Sequence, residues 1–277
     1  MEVGLVNNIK VGFIIQARMQ STRLPGKVLM PLPINGNKTI LHWIVQSIKK
    51  SKYDHQIIIA SSSNSENNVL ESICTSENIF LFRGSEDDVL NRFITIAKSN
   101  RFDVIVRLTA DNPFVDIRLL DELIEIHLRH DLSYTGSSNL PVGMNFEIVK
   151  PQSIIDLEKK ELSSDDKEHV TTYIKNNYPI FIHEFISEES IRNVRLTIDY
   201  PSDYALVSLV ASLLKEPTLK NIERIFKTYP WLKEINEGNF QKKSFKDLGS
   251  EINEATRILD LLDLYNASKI LKEKLDN

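Results

Sequence analysis

The sequence lacks several features that would assign it to a class at once. Its 277 residues include a single cysteine, Cys74, so neither an internal disulfide nor a CxxC zinc motif is possible. No apolar run reaches the roughly 20 residues that a membrane-spanning helix needs. The first residues also lack the basic and apolar regions of a secretory signal. These absences predict a cytoplasmic protein without a membrane partner.

An excess of charge of one sign is also missing. The chain has 34 basic and 38 acidic side chains, which leave a formal net charge of −4 at pH 7. Nucleic-acid-binding domains commonly carry a large positive field. The composition therefore predicts no nucleic-acid partner, and any basic site must be local.

The first half of the chain does show a regular alternation of short apolar runs and amphipathic stretches. The pattern predicts strands at 11–15, 55–60, 79–82 and 102–108, and helices at 39–50, 64–77, 87–99 and 117–129. This alternation indicates an α/β fold, with a mostly parallel twisted sheet and helices on both faces. Ligands of such sheets bind beyond the carboxyl ends of the strands. The loops expected to build the site are therefore 16–27, 61–64, 83–88 and 109–116.

After residue 130 the alternation becomes irregular, which predicts a mixed continuation of the same sheet. Further strands are expected at 132–136, 145–149, 179–185 and 194–198, and further helices at 166–177, 202–215 and 218–228. We divide the chain into a catalytic domain over 1–233 and a segment over 234–277, in which a polar linker precedes one amphipathic helix over 251–275. Such a helix cannot bury its apolar face alone. We expect it to dock on its own domain or to form a homodimer.

The loop after the first strand, QARMQSTRLPGK at 16–27, concentrates positive charge and hydrogen-bond donors. Loops that lead from a strand into a helix commonly bind phosphate through backbone N–H groups and cations. This loop matches neither GxxxxGK[ST] nor GxGxxG. Its cations, Arg18, Arg23 and Lys27, suit more than one phosphate group, because arginine can hold an oxyanion with two N–H donors. A solvated basic turn is the alternative interpretation.

Five motifs, in order along the chain, resemble those of the cytidylyltransferases that activate acidic sugars. They are IIQARMQSTRLPGKVL (14–29), FRGSEDDVLNRF (82–93), RLTADNPFVD (107–116), KEHVTTYI (167–174) and LTIDYPSDY (196–204). The first motif is similar to the loop of CMP-Kdo synthetases, and its QAR form is more similar to the spore-coat polysaccharide protein F group. The resemblance implies a GT-A-like Rossmann nucleotidyltransferase fold with a C-terminal helical extension outside the motifs. It also implies CTP as donor, Mg²⁺ as cofactor, and transfer of CMP to an acidic sugar or related surface-polysaccharide precursor with release of pyrophosphate.

The resemblance also implies a role for each residue that matches a motif. Catalytic roles fall on Arg18, Lys27, Asp111 and Asp199. The resemblance places Mg²⁺ on Asp111 and Asp199, and carboxylate oxygens are ligands that Mg²⁺ prefers. Nucleotide binding is implied for Ala17, Arg18, Ser21, Arg23, Gly26, Lys27 and Asp111. One departure concerns the acceptor: Asn112 stands where Kdo enzymes carry glutamate, which argues against Kdo.

Further candidates follow from their positions on the predicted strands and loops. Ser61 and Arg83 leave the second and third strands and are expected to contact the nucleotide. Arg107 and Glu147 lie on later strands and are expected to bind the acceptor sugar. For His169, the resemblance of EHVT to the spore-coat group implies the same role. Three of these residues have a structural alternative. Ser61 could be a small turn residue, and Glu147 could lie on a solvated strand face. His169 could be a hydrogen-bonded histidine in the first turn of a helix.

The two aspartates and the strand arginine have structural alternatives as well. Asp111 precedes Asn-Pro and could form an Asx-turn. Asp199 could cap the following helix, although Asp203 is a rival for that position. Arg107 could pair with Asp111 instead of facing a substrate carboxylate. At the level of function, the alternatives are a GT-A glycosyltransferase, which a DxD motif would favour, and a non-catalytic nucleotide-binding scaffold.

Overall fold

The computed structural model describes residues 9–239 and 248–275. Its sheet consists of β1 (Lys10–Gln16), β2 (Asp54–Ser62), β3 (Phe80–Gly84), β4 (Val104–Thr109), β5 (Tyr134–Ser138), β6 (Glu147–Val149) and β7 (Ile180–Glu184). The spatial order is β3-β2-β1-β4-β6-β5-β7. The first four strands are parallel, β6 is antiparallel to β4 and β5, and β7 is parallel to β5. The predicted mostly parallel sheet with a mixed continuation is confirmed.

Helices surround this sheet in the first compact unit, which ends at Gly238. They are α1 (Ile40–Ile48), α2 (Leu70–Glu77), α3 (Val89–Ser99), α4 (Ile117–His130), α5 (Pro151–Ile155), α6 (Ser164–His169), α7 (Thr172–Asn177), α8 (Glu189–Arg192), α9 (Pro201–Leu213) and α10 (Leu219–Thr228). Short 3-10 segments lie at 27–29, 65–69, 156–159 and 230–236. Thr39 caps α1 as its sequence position suggests, because Oγ1 accepts a hydrogen bond from the backbone N–H of His42.

The core explains why the first strand is apolar without interruption. β1 pairs with β2 on one side and β4 on the other, so it is a central strand, and apolar clusters pack on both of its faces. Phe13 and Ile15 belong to a cluster that includes apolar side chains of α1, α4, α9 and α10. Ile14 points to the other face and joins side chains of α3, α5 and α7. Helices therefore cover both faces of the sheet, as predicted.

The strand predicted at 194–198 is wrong, and the reason is a competing set of hydrogen bonds. Arg195 forms only an isolated bridge with Val142. Three residues later, the backbone N–H of Ile198 donates to the carbonyl of Asp111 at 2.9 Å. The segment thus leaves its bridge to bond the loop after β4, and this contact brings Asp199 to the end of β4.

The single helix predicted at 166–177 is also wrong, because the chain forms α6 and α7 instead. Ser163 caps α6 through a capping box with Asp166, in which each side chain accepts from the other's backbone N–H. The helix stops at Val170, whose φ of +61° lies outside the helical range. His169 therefore lies in the last turn of α6 and not in the first turn of a helix.

The second compact unit begins at Asn239. It contains α11 (Leu248–Leu261) and α12 (Tyr265–Leu275), where the sequence predicts one helix. The break follows from a left-handed helix end: Asp263 has a φ of +59°, and the N–H of Leu264 donates to the carbonyl of Leu259 at 2.8 Å.

The polar linker predicted before this helix falls partly on residues 240–247, which lie outside the described residues. Its first residues belong to the 3-10 segment at 230–236. Docking or dimer formation by the C-terminal segment stays a prediction. Among the helices that the structure describes, none is long and apolar enough to cross a bilayer.

Candidate active site

The basic loop at 16–27, which follows β1, directs its lysine into the protein. The loop closes where the N–H of Gly26 donates to the carbonyl of Met19 at 2.9 Å. Gly26 has a φ of +72°, in the left-handed region that a glycine adopts at little steric cost. The next residue, Lys27, begins a short 3-10 segment, and its side chain is only 10% exposed.

Lys27 joins the two aspartates that the sequence nominates as metal ligands. Its Nζ lies 3.0 Å from Oδ2 of Asp111 and 2.9 Å from Oδ1 of Asp199. It also donates to the carbonyl of Ile198 at 2.5 Å. An ammonium group has three N–H donors, so these contacts account for all of them. Carboxylates from the loop after β4 and from the segment before α9 therefore converge on the cation of the loop after β1.

Asp199 is surrounded by positive charge. Besides Lys27, it contacts Nη2 of Arg195 at 2.5 Å and Nη2 of Arg23 at 3.2 Å. Burial alone would raise the pKa of Asp199, but the charges and hydrogen bonds of Lys27, Arg23 and Arg195 lower it overall. The carboxylate is consequently ionised and available as a ligand for a cation.

Asp203, not Asp199, caps α9. Its fully buried carboxylate accepts the backbone N–H groups of Asp199 at 2.9 Å and Tyr200 at 3.0 Å. Arg195 holds the same carboxylate through Nε at 3.1 Å. The capping alternative for Asp199 is therefore wrong, because the next carboxylate along the chain performs that role.

The turn that carries Asp111 is closed by its neighbours. The backbone N–H of Asn112 donates to the carbonyl of Thr109 at 3.2 Å, and Asn112 Nδ2 donates to Thr109 Oγ1 at 2.9 Å. The Asp111 carboxylate faces Lys27 and is 27% exposed. The turn is thus closed by hydrogen bonds between Asn112 and Thr109 and not by the Asp111 side chain. The Asp111 carboxylate instead faces the Lys27 ammonium.

The two arginines of the loop lie on different sides of the site. Arg23 lies beside Asp199, where it donates to the Tyr200 hydroxyl at 3.1 Å and stacks over the Tyr200 ring at 4.7 Å. Arg18 is 44% exposed and pairs with Glu86 at 2.9 Å. Ser21 supports the loop, since its Oγ accepts from the N–H of Leu24 at 3.4 Å.

The ends of β2 and β3 carry buried polar atoms without hydrogen-bond partners. Ser61 and Arg83 are register partners across the two strands. Among the described residues, the unpartnered atoms here are Ser61 Oγ, Arg83 Nε and Nη2, and Arg92 Nε. Leaving buried donors unpaired is costly, so these atoms favour a ligand in this region. Ala17, which lies nearby, is buried, and its N–H donates to the carbonyl of Ala60.

Arg107 pairs with Glu147, not with Asp111. The two residues face each other across β4 and β6, and Nη1 of Arg107 lies 2.5 Å from Oε2 of Glu147. Nη2 of Arg107 donates to Oε1 of Gln16 at 3.1 Å. Glu147 also accepts from Tyr134, Thr171 and Lys175, at 3.0, 2.8 and 3.0 Å.

These contacts overturn the alternative of a solvated strand face for Glu147. Burial would raise the pKa of Glu147, but Arg107 and Lys175 lower it to about 2. With four donors already on its carboxylate, Glu147 orients other groups. The pair lines a cleft of about 350 Å³, together with Leu108, Thr109, Asn112, Phe114, Val115, Tyr134, Ser137, Gly143, Asn145 and Phe146.

His169 is not part of this buried network. Its side chain is 56% exposed, and Nε2 lies 3.4 Å from Oδ1 of Asp165, one turn earlier in α6. The neighbouring Glu168 lies 3.7 Å from Arg18. The fourth motif therefore reaches the site through Glu168 and Thr171, and Lys175 directly after it also contacts Glu147.

The donor set fits a magnesium ion that arrives with a nucleotide. No group of three or more His, Cys, Asp or Glu side chains suited to a metal occurs in the described parts of the chain. Mg²⁺ usually takes only one or two carboxylates and completes its shell with water and phosphate oxygens. Asp111 and Asp199 provide two carboxylates, and the Lys27 ammonium between them stands in for a cation.

Sequence reasoning missed Arg92 and Glu86, although signals for both were present. Arg92 lies among the apolar residues of α3, and its side chain is almost fully buried, with Nη1 donating to the carbonyl of Ala60 at 3.0 Å. An arginine on the apolar face of an amphipathic helix needs a partner, which is the signal. Glu86 pairs with Arg18. The signal is that the loops at 16–27 and 83–88 both follow parallel strands of the predicted sheet and carry opposite charges.

The fold and this arrangement of groups define a nucleotidyltransferase, with a cationic loop at the carboxyl ends of the strands and two carboxylates that share the Lys27 ammonium. Residues 12–246 match the cytidylyltransferase family, and the chain belongs to that family. It is a CTP-dependent nucleotidyltransferase, as the sequence motifs imply.

Three relatives illustrate the similarity. The spore coat polysaccharide biosynthesis protein SpsF of Bacillus subtilis is 42% identical over 69% of this chain and 82% of its own length. The 8-amino-3,8-dideoxy-manno-octulosonate cytidylyltransferase of Shewanella frigidimarina is 28% identical over 70% of this chain and 71% of its own. A solved cytidylyltransferase of Leptospira borgpetersenii superimposes with a TM-score of 0.74 at 27% identity, over 85% of this chain and 100% of its own.

Proposed function

We propose that the chain transfers CMP from CTP to an acidic sugar, with release of pyrophosphate, to make a surface-polysaccharide precursor. The observation that carries this proposal is the convergence of Asp111 and Asp199 on Lys27 beside the cationic loop. The names of two relatives support the acceptor class. One acts in spore coat polysaccharide biosynthesis, and the other is a cytidylyltransferase for an octulosonate.

In the proposed reaction, a hydroxyl oxygen of the acceptor attacks the α-phosphorus of CTP. A new oxygen–phosphorus bond forms, the bond to the bridging oxygen breaks with its electron pair on pyrophosphate, and the hydroxyl proton passes to solvent. Positioning and electrostatic stabilisation supply most of the catalysis in such transfers. Arg18 and Arg23, on two sides of the loop, hold the triphosphate oxygens.

Asp111 and Asp199 hold Mg²⁺ in this proposal. When bound, the ion stabilises the negative charge that develops on the transferred and leaving phosphate groups. Lys27 then exchanges its carboxylate partners for the oxygens of the leaving pyrophosphate. Its ammonium is a compact point charge on a flexible stem, which suits such an exchange.

The acceptor occupies the cleft beside Asp111. Arg107 and Glu147 line the cleft and Lys175 contacts Glu147, so the three residues together carry one positive charge in excess, which suits one acid group. Ser61 and Arg83 contact the nucleotide, where their unpartnered atoms are satisfied. His169, exposed at the end of α6, reaches the acceptor only in the assembled complex.

The cytoplasmic location, the division at residue 233 and a homodimer through the C-terminal segment are parts of the same proposal. The free thiol of Cys74 supports a reducing compartment. The amphipathic sequence of 251–275 supports the dimer. Light scattering on the full chain and on a chain ending at Gly238 tests the dimer, which only the full chain should form.

Pyrophosphate release, measured with each nucleoside triphosphate and a panel of acidic and neutral sugars, tests the function. We expect release only with CTP, Mg²⁺ and an acidic sugar. Asp111→Asn should lower the rate by about 10²- to 10³-fold, as loss of a group that stabilises transition-state charge does. Asp54→Asn is the matched control, because Asp54 begins β2 and so lies at the amino ends of the parallel strands, away from the site. Turnover of a UDP-sugar without pyrophosphate would instead support a glycosyltransferase.

A further inference from the structure

Among the described residues, two that line the cleft beside the carboxylate pair each carry a buried polar atom without a hydrogen-bond partner. Arg107 Nε, a donor, and Asn112 Oδ1, an acceptor, are both buried, and in the described residues neither has a hydrogen-bond partner. Both residues line the cleft. Buried polar atoms nearly always have a hydrogen-bond partner, and an unpaired one destabilises the fold. The pair therefore indicates a ligand that supplies one acceptor and one donor.

Both groups are held in place by other contacts. Arg107 is fixed by Glu147 at 2.5 Å and by Gln16 at 3.1 Å. Side chains two residues apart on a strand share a face, so Thr109 lies on the same face of β4 as Arg107. Thr109 Oγ1 accepts a hydrogen bond from Asn112 Nδ2 at 2.9 Å. This bond fixes the side-chain amide of Asn112 and, among the described residues, leaves its Oδ1 without a partner. Arg107 and Asn112 are thus held in fixed positions on one wall of the cleft.

The position of this wall assigns it to the acceptor sugar. Asn112 directly follows Asp111, so the cleft lies next to the proposed site of phosphoryl attack. Phe114 and Phe146 give the cleft an apolar part that suits the C–H face of a sugar ring. The unpartnered atoms of the nucleotide region belong to other residues, at the ends of β2 and β3.

We propose that Asn112 is a specificity-determining residue: its Oδ1 accepts a hydrogen bond from an O–H or N–H group of a sugar whose acid group is bound by Arg107. This inference rests on the proposed function, since it names the chemistry of the acceptor in the same site. It identifies the substrate class as an acidic sugar with a hydrogen-bond donor close to its acid group. Neutral sugars and acids that lack this donor are discriminated against.

The test measures binding separately from turnover. Saturation-transfer NMR and CMP transfer are recorded with 3-deoxy-manno-octulosonate, its 8-amino-3,8-dideoxy analogue, N-acetylneuraminate and glucuronate, and with glucose as the neutral probe. Wild type is compared with Asn112→Leu, which keeps the side-chain volume and removes both the acceptor and the Nδ2 donor to Thr109, while the backbone hydrogen bond from residue 112 to the carbonyl of Thr109 still closes the turn. Asn253→Leu, at an exposed position on α11, is the matched control. Comparison of the hydroxyl and amino analogues distinguishes an O–H from an N–H donor.

We expect Asn112→Leu to raise the KM for the preferred acid about 10-fold, the loss of one hydrogen bond to a neutral group, and to leave the KM for CTP unchanged. A double variant, Arg107→Gln with Glu147→Gln, removes the ion pair, leaves the ammonium of Lys175 as the remaining charge, and should weaken acid binding. Its melting temperature shows whether it is folded. If it is not, the Asn112 variant alone decides.

The outcomes separate this inference from the proposed function. Binding of an acid that is weakened by Asn112→Leu supports the inference even if no CMP is transferred, a result that would reject the proposed function alone. CMP transfer with an unchanged acceptor KM in Asn112→Leu would overturn the inference and leave the function standing. Equal binding of glucose and the acids, or binding of none of them, would also overturn the inference.

Discussion

Replacing Lys27 tests whether its positive charge stabilises the two neighbouring carboxylates, Asp111 and Asp199, in the absence of metal. Replacing Lys27 by methionine keeps most of the side-chain volume but removes the charge that Asp111 and Asp199 share. The two carboxylates are then left close together without their common cation. We expect the folded protein to be less stable without metal, and to gain affinity for Mg²⁺ in the absence of nucleotide.

The contacts set the size of the effect. Removing one partner of a buried ion pair costs about 3–5 kcal/mol. Asp199 keeps Arg195 at 2.5 Å and Arg23 at 3.2 Å, so we expect a smaller loss of about 2–3 kcal/mol in the free energy of unfolding. At about 2–4 °C per kcal/mol for a domain of this size, the melting temperature should fall by about 4–12 °C.

Thermal unfolding in the presence and absence of Mg²⁺ measures this prediction. At an Mg²⁺ concentration ten times its dissociation constant, binding adds about 1.4 kcal/mol, so the melting temperature of Lys27→Met should recover by about 3–6 °C. The wild type should respond less, because its own ammonium already fills the place between the carboxylates. Lys220→Met, at an exposed position on α10, is the control. An unchanged melting temperature, or equal responses of variant and wild type to Mg²⁺, would refute the reasoning.

The remaining predictions concern charges around the site. The pKa of Glu147 falls from 4.5 to about 2 on folding, so its contribution to stability is present above about pH 4.5 and is lost as pH falls toward 2. Acid unfolding of Glu147→Gln should lack this pH dependence, and a slope equal to that of wild type would contradict it. Asp203→Asn should reduce the free energy of unfolding by about 2–4 kcal/mol in urea denaturation, because a buried carboxylate cap and ion pair are lost; a loss below about 0.5 kcal/mol would contradict it. Arg18→Ala should raise the KM for CTP about 10-fold with little change in melting temperature, since Arg18 is 44% exposed; an unchanged KM would exclude it from the triphosphate site.

The parallel half of the fold could be predicted because its signals are local. Each strand of the first half is a short apolar run, and periodicity alone places the helices between them. Thr39 shows the same for a helix start, since a hydroxyl before an apolar stretch is a local signal. The strand prediction for 194–198 is wrong because the backbone of this segment hydrogen-bonds to Val142 and Asp111, which are distant in sequence.

Some features of the candidate site could likewise be predicted from the sequence, and others required the structure. That Arg18, Arg23 and Lys27 share a loop is evident from the sequence, but the partners of Lys27 are 84 and 172 residues away. Similarly, the Arg107–Glu147 pair depends on the antiparallel register of β4 and β6. Periodicity gives no register between strands that are not neighbours in sequence, so these partners required the structure.

The central claim is that this site moves the α-phosphate of CTP to an acidic sugar. Two reactions, one with CTP labelled at the α-phosphorus and one with CTP labelled at the γ-phosphorus, test it directly on the full chain with Mg²⁺ and the preferred acid. We predict that the α-label appears in the sugar product and the γ-label in pyrophosphate, and that Asp111→Asn slows both together. Recovery of the γ-label in the sugar, or of the α-label only in free nucleotides, would contradict the account.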